Sequence, residues 1–396
     1  MRIAYVAFEA FPNSKGSGTR IRELSRGLAA QGAEVHLVSL SAKPGAGEPP
    51  PGVELRPLKL LEDNLLARGL AFRGRVLREL MAIRPDVIHF RGIFEGEAAL
   101  AYAEQRAVRT LFEVNGLPSV ELGYHYRAVA ESQSMQGKLR ELEGRILAGV
   151  DCALTQSQTT LEFLRSRGLP SATACAVLPN AADPEMFYPA AERAADATAA
   201  LRLLYVGATQ AWQGTLELLM AQRRVLRERP ARLVIAGPIR RKWRKQIERL
   251  TRRLKLDDTV ELMGALHAEQ LAQQIREADI CLAPLRRDVR NKHQGCSPIK
   301  LFEYMSGGAA VLATDLPCVR EIVTPDVTGE LLESPRPKLL ADALLGLASD
   351  PARRGRLGHA ARQFILDEAT WERRRAALVA YYVDTLLASA ASRASA

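Results

Sequence analysis

Short apolar runs bounded by turn residues alternate with amphipathic stretches along nearly the whole chain, and this rhythm predicts a parallel α/β architecture. The first run, RIAYVAF, leads into a glycine-containing loop, PNSKGSG; a helical pattern from Thr19 to Gln31 follows, Gly32 stops it, and EVHLVSL reads as the next strand. Further strand candidates come at PDVIHF, RTLFEV, DCALTQS and ATACAVLPN. The stretch from Ala190 to Ala200 is rich in alanine and poor in large apolar residues, as a linker or exposed connection is. The pattern then restarts with RLLYVG, ARLVIAG, DTVELMG, ADICLAPL, AAVLATD and TGELLES, and a basic helix from Arg241 to Leu254 lies among them. Two such halves in tandem predict two Rossmann-like domains facing across a cleft, with ligands at the carboxyl ends of the strands. The boundaries read as 1–188 for the first domain, 189–200 for the linker, 201–371 for the second domain and 372–396 for a C-terminal helix carrying Leu378, Tyr381, Tyr382 and Leu386 at helical spacing.

A length of 396 residues fits two ordinary domains, and 47% hydrophobic with 25% charged residues is a globular balance. No apolar run is long enough for a spanning helix, and the N-terminus reads as a core strand instead of a leader. Five widely spaced cysteines without a C-x-x-C pair argue against a disulfide framework or a zinc site and point to a reducing cytoplasm. A formal net charge of +10 favours an anionic partner. Among the basic segments, Arg68 to Arg84 mixes five arginines with Leu70, Phe72, Val76, Leu77, Leu80 and Met81; it suits either packing on its own sheet or peripheral contact with anionic membrane at the inner face.

The segment CSPIKLFEYMSGGAAVLATD, from Cys296 to Asp315, carries the most chemistry. Ser297 suits an N-cap and Pro298 the first helical position, and Gly307 and Gly308 end the helix. A helix N-terminus at a strand's carboxyl end suits a diphosphate, with Cys296, Ser297, Pro298 and Ile299 supplying backbone and Lys300 an ammonium in the first turn. Glu303, one turn on, can accept hydrogen bonds from ribose hydroxyls. The bland alternative is a routinely capped helix with a surface Lys300–Glu303 pair.

SPIKLFEYMSGGAAVLATD, followed by PCVREIV and TGELL, resembles the donor-domain signature of the family-four retaining glycosyltransferases of the GT-B fold (glycosyl transferases group 1). The resemblance extends to LLYVG with WQG, ADICLAPL, PDVIHF and VLPNAADPEMFYP. It implies sugar transfer from a nucleotide-diphosphate sugar (UDP favoured, GDP an option) to a hydroxyl of a saccharide, lipid-linked or small-molecule acceptor, as a hexosyl- or N-acetylhexosaminyltransferase. It also implies a cytoplasmic enzyme without cofactor, metal or nucleic acid, and a C-terminal helix returning to the first domain. No Asp-x-Asp motif stands out for a metal. Attack would be front-face, with helix dipole and cations stabilising the departing diphosphate.

By the same resemblance, Gly16 and Gly18 lie in a glycine-rich loop, Lys15 to Arg20, that approaches donor or acceptor, and Gly207 and Gln213 line the turn that opens the donor domain. Asn115 stands where relatives often carry a sugar-contacting histidine, and Arg20, Glu121 and His125 are candidate acceptor contacts. Lys300, Asn115 and Gly16 are the catalytic candidates; His89 reads as a satisfied core or cleft-edge histidine. Three positions depart from the family: the first of its two glutamates falls on Gly295, and the arginine and lysine of the opening turn fall on Ala208 and Gln213. The loop RRDVRNKHQG offers Arg286, Arg287, Arg290, Lys292 and His293 as replacement cations, or is simply solvated. The departures keep open a catalytically weak or inactive nucleotide- or sugar-binding protein. A Rossmann oxidoreductase is disfavoured, because neither first turn carries G-x-G-x-x-G with a ribose-binding acid about 20 residues on.

Overall fold

The computed structural model describes residues 1–43, 45–190 and 200–387. It divides into two compact units: Met1–Pro179 with His293–Cys296 and the segment from Glu372 onward, and Asn180–Lys292 with Ser297–Trp371. Most of the expected linker, 191–199, lies outside the described residues, as do positions 388–396.

The first unit is built on a seven-stranded sheet of β1 (Arg2–Phe11), β2 (Glu34–Ser41), β3 (Val53–Leu58), β4 (Val87–Phe90), β5 (Arg109–Val114), β6 (Cys152–Thr155) and β7 (Ala174–Val177). All neighbours are parallel, in the order β3-β2-β1-β4-β5-β6-β7. Val87, Ile88, His89 and Phe90 are all buried, which is why these strands read as continuous apolar runs. Apolar cores cover both faces: Phe72, Val76, Phe90 and Phe112 belong to one, Tyr5, Ile21, Leu24 and Leu111 to the other. The edge strand β3 has no counterpart among the apolar runs, because VELRPL carries a proline and two charges that only an edge position tolerates.

From Glu372 onward, the helix Trp371–Tyr381 and the turn Tyr382–Leu387 belong to this first unit. Leu378, Tyr382 and Leu386 enter its core, the Tyr382 hydroxyl bonds His89 Nδ1 at 2.7 Å, and Arg375 pairs with Glu23.

The second unit carries β8 (Leu201–Val206), β9 (Ala231–Ala236), β10 (Val260–Gly264), β11 (Ile280–Ala283), β12 (Ala310–Thr314) and β13 (Glu330–Leu332). They form a parallel six-stranded sheet in the order β10-β9-β8-β11-β12-β13. In each sheet the order reverses once, between β1 and β4 and between β8 and β11, and the crevice beyond the carboxyl ends of such a pair is where α/β folds bind ligands.

Candidate functional site

In the second unit the chain leaves β8 at Gly207 and returns past β11 into the helix Ile299–Ser306, so both segments meet the switch point. Tyr304 fixes that helix to the sheet: its hydroxyl accepts the Val206 N–H at 2.7 Å and donates to the Leu282 carbonyl at 3.4 Å. The N-cap is Pro298, one residue later than the sequence suggests. Ser297 does not cap the helix because its groups serve Asn180: its hydroxyl accepts the Asn180 N–H at 3.0 Å and its carbonyl accepts Asn180 Nδ2 at 2.5 Å.

Lys300 is 7% exposed, with its ammonium 4.3 Å from the Tyr205 ring centroid and donating to Gln213 Oε1 at 2.7 Å. The Tyr205 hydroxyl donates to the same oxygen at 3.0 Å. Gln213 therefore holds the lysine in place, and Lys300 and Glu303 are no exposed surface pair. Gly207 has φ +137°, and a Cβ there would stand 3.1 Å from Lys300 Nζ, so glycine is required for conformation and for space.

Glu303 is 8% exposed, and its carboxylate forms no hydrogen bond among the described residues. Burial pushes its pKa up to about 7, against the pull of the Lys300 ammonium. A buried acceptor without a donor, one turn beyond a positioned cation, has the chemistry to receive hydroxyl donors and an anion together.

The 286–293 loop is pinned by Asn291, fully buried, whose Nδ2 donates to the carbonyls of Trp212 at 2.9 Å and Arg286 at 2.8 Å. Arg290 lies over the Trp212 ring at 4.9 Å, and Arg287 donates to the carbonyls of Asp315 and Glu333. Arg286 stands 3.5 Å from Glu217, while Lys292 and His293 are exposed. The loop is thus an ordered turn, with all three of its arginines engaged by protein groups.

Residues 293–296, Cys296 included, belong to the first unit. Gln294 is fully buried there, accepting the Leu117 N–H at 2.8 Å and donating to Glu121 at 3.1 Å. Gly116 makes room, since a Cβ on it would meet Glu121 at 2.5 Å and Gln294 at 2.7 Å. Gly295, at φ +78°, has Thr159 and Thr160 3.0 Å from where a Cβ would be. A glutamate in its place would be strained in backbone and side chain alike.

Three expectations in this unit need revision. Gly16 and Gly18 are not in a loop; they open the helix Gly16–Ala30, and Gly18 is small because a Cβ would meet the Asn13 carbonyl oxygen at 2.5 Å. Arg20 is not an acceptor contact at a surface. It is 1% exposed, its Nε bonds Glu113 Oε1 at 2.5 Å and its Nη1 the Leu178 carbonyl at 2.9 Å. Burial opposes the charge of Glu113, but the guanidiniums of Arg91 and Arg20 and the His89 ring hold its pKa well below the usual carboxylate range. Tyr5 completes the cluster at 2.5 Å, and His89, bonded to Glu113 and Tyr382, is the satisfied core histidine that its strand implies. Asn115 follows β5, its carbonyl accepting from Gln156 at 2.9 Å; His125 ends the helix Pro118–His125, half-buried.

Residues 200–350 match the family model described as Glycosyl transferases group 1, and residues 15–181 match the Glycosyl transferase 4-like domain. The chain belongs to the group 1 glycosyltransferases. Its similarity to named relatives runs end to end. It is 27% identical over 390 residues to the D-inositol 3-phosphate glycosyltransferase of Xylanimonas cellulosilytica, covering 89% of each chain. It is 25% identical over 405 residues to the glycogen synthase of Mycobacterium tuberculosis, covering 94% of this chain and 92% of that one. Among solved structures, sucrose-phosphate synthase of Thermosynechococcus elongatus superposes with a TM-score of 0.82 at 21% identity, covering 98% of this chain and all of the other. Anabaena HepE, solved in complex with UDP-glucose, superposes with a TM-score of 0.75 at 12% identity, covering 97% and 100%. The fold of this glycosyltransferase is GT-B.

Sequence reasoning missed Gln294, Asn180, Tyr205, Asn291 and the Glu113 cluster. A signal existed for one: Glu113 is the lone acid in an apolar strand, and a buried acid there demands partners. Among the described residues no group of three or more His, Cys, Asp or Glu side chains is placed to hold a metal ion, and no helix is long and apolar enough to cross a membrane.

Proposed function

We propose that this glycosyltransferase moves a sugar from a nucleotide-diphosphate sugar to an acceptor hydroxyl with retention and without a metal. The observation that carries the donor reading is Glu303, a carboxylate nine-tenths buried without a hydrogen-bond donor, one turn beyond Lys300 at the β8/β11 switch point. Vicinal ribose hydroxyls would satisfy Glu303, and the diphosphate would take the Lys300 ammonium, with the first turn of the helix adding its dipole. As the sugar–oxygen bond breaks, charge grows on the diphosphate, and a lysine already oriented by Gln213 and Tyr205 needs no reorganisation to meet it. The UDP-glucose held by HepE supports a UDP-sugar over a GDP-sugar, and the acceptor is a saccharide, lipid-linked or small-molecule hydroxyl.

Ala208, Gln213 and Gly295 favour a second reading, a nucleotide binder that transfers slowly or not at all, because two family cations and one family glutamate are absent. Thermal unfolding with UDP-, GDP- and ADP-sugars separates the two, since a ligand bound to the native state raises its melting temperature. Stabilisation by UDP and UDP-sugars, with EDTA-insensitive transfer that preserves the donor's anomeric configuration by NMR, is the expected result. Stabilisation without transfer to any acceptor leaves the binder. Indifference to every nucleotide refutes the donor site.

A further inference from the structure

The helix Ile299–Ser306, which carries Lys300 and Glu303, has only eight residues, too few to hold its direction by its own hydrogen bonds. What its ends are tied to therefore decides where the two side chains stand. Three of its last four carbonyls are taken locally: Glu303 accepts the Gly307 N–H at 3.0 Å, Met305 that of Gly308 at 3.1 Å and Tyr304 that of Ala309 at 3.2 Å. The fourth, Ser306, accepts Nη1 of Arg362 at 2.6 Å, from the helix Pro351–Glu368 of the same unit.

The same Nη1 donates to the Phe187 carbonyl at 2.6 Å, and Nη2 donates to the Pro184 carbonyl at 3.2 Å. The buried Ser306 hydroxyl donates to the Phe187 carbonyl as well, at 2.7 Å. Asn180, which opens that stretch of the second unit, holds Ser297 at the other end of the helix, so residues 180–187 are tied to both ends. Gly358, one turn before Arg362, lets the two helices meet closely: a Cβ there would stand 2.1 Å from the Gly308 carbonyl oxygen. Arg362 is half-buried, and among the described residues no carboxylate pairs with it. Burial lowers its pKa with no acid to offset that cost. Its charge is spent on carbonyls at the negative end of a helix dipole.

We infer that Arg362 is a positioning residue for the donor site: it fixes the last turn of this helix and so sets where the Glu303 carboxylate meets the ribose. The inference rests on the donor reading of Glu303. Glu303 lies three residues before Ser306, within the turn that Arg362 holds. Lys300 lies at the other end, beside the tie from Asn180 to Ser297, and has its own partners in Gln213 and Tyr205. Arg362 therefore acts on the ribose contact more than on the diphosphate contact, and a small displacement of a supporting group is enough to misplace it.

The test is calorimetric titration of the full chain with UDP and with 2′-deoxy-UDP, which lacks one of the two ribose hydroxyls offered to Glu303. A hydrogen bond to a charged group contributes on the order of tenfold in affinity, so the wild type should prefer UDP by about tenfold. In Arg362→Gln the preference should fall to about twofold, because UDP binds more weakly while 2′-deoxy-UDP is nearly unaffected. Arg362→Lys returns a cation to the helix end but cannot reach all three carbonyls, so its preference should be intermediate. This second variant carries the comparison alone if Arg362→Gln does not fold. Either variant keeping the full preference, or weakening both nucleotides equally, overturns the inference, whatever its melting temperature. A wild type that binds UDP without preferring it over 2′-deoxy-UDP, or binds neither, refutes the donor reading of Glu303 and takes this inference with it.

Discussion

Replacing Glu303 by glutamine should change stability and donor binding in opposite directions, and the size of each follows from its surroundings. The carboxyl moves from an ordinary value of 4.5 in the unfolded chain to about 7 in the native state, because burial disfavours its charge more than Lys300 favours it. Between those two values the native state binds more protons than the unfolded state, so this group lowers stability as pH rises from about 4.5 to about 7 and then holds it constant. The full shift corresponds to at most about 3 kcal/mol. An amide keeps an unanswered polar group at the cost of about 1 kcal/mol, so Glu303→Gln should stabilise the protein by about 1–2 kcal/mol at pH 8 and by nearly nothing at pH 5. UDP should reverse the order: two charge-assisted bonds from ribose hydroxyls are lost, and affinity should fall by at least about tenfold. Urea unfolding of both proteins at the two pH values, with calorimetric titration of UDP, measures all of this. Glu95, which burial also pushes up to about 7, titrates identically in both proteins and drops out of the comparison. A wild-type minus variant difference that is the same at pH 5 and pH 8, or an unchanged UDP affinity, refutes the reasoning.

Lys300→Ala should weaken UDP binding by at least about tenfold while leaving uridine binding nearly unchanged, since the lysine answers the diphosphate; equal losses for both ligands in titration would place it elsewhere. Gly295→Glu, which restores the family's usual residue, should lower stability by about 1–3 kcal/mol without raising transfer, because φ is +78° and Thr159 and Thr160 crowd the position; denaturant midpoints decide. Tyr382→Phe removes the hydroxyl bonded to His89 and should destabilise the first unit by about 1 kcal/mol; a hydrogen-exchange change confined to the second unit would contradict it.

Most of the strands were legible because parallel strands buried on both faces must be apolar throughout, and the half-buried β7, β10 and β13 still read as short apolar runs between turn residues. The edge strand β3 escaped this logic, since an edge tolerates Pro57 and a charged face. Lys300 and Glu303 were legible as a motif, but their state was not. Nothing in SPIKLFEYM says that Glu303 lacks a donor or that Lys300 lies on Tyr205, because both depend on residues about 90 positions away. Arg20 failed for the related reason that its partner, Glu113, is 93 positions distant, and a lone arginine beside a glycine-rich segment looks like a ligand contact until that acid is found.

The departures at Gln213 and Gly295 each have a physical account in the structure. A lysine at position 213 would bring a second ammonium to within hydrogen-bonding distance of Lys300 unless an anion sat between them, so glutamine makes the empty site stable by accepting from Lys300 and Tyr205 together. At Gly295 the left-handed backbone lets the neighbouring Gln294 reach Leu117 and Glu121, so the segment that would present a sugar-binding glutamate is spent on an internal tie instead. On the proposed donor reading, both changes exchange ligand contacts for contacts within the protein. If the proposed donor reading holds, a site built this way is preorganised before its ligand arrives but offers the departing diphosphate less positive charge, and such a balance costs rate more than affinity. In kinetic terms, the preorientation of Lys300 should offset part of the lost ground-state attraction for UDP, so that kcat carries more of the cost of the missing cations than KM does. A low KM for donor together with a low kcat is therefore the expected signature, and a kcat in the usual range with a high KM would show that the charge is supplied by groups other than Lys300 and its helix.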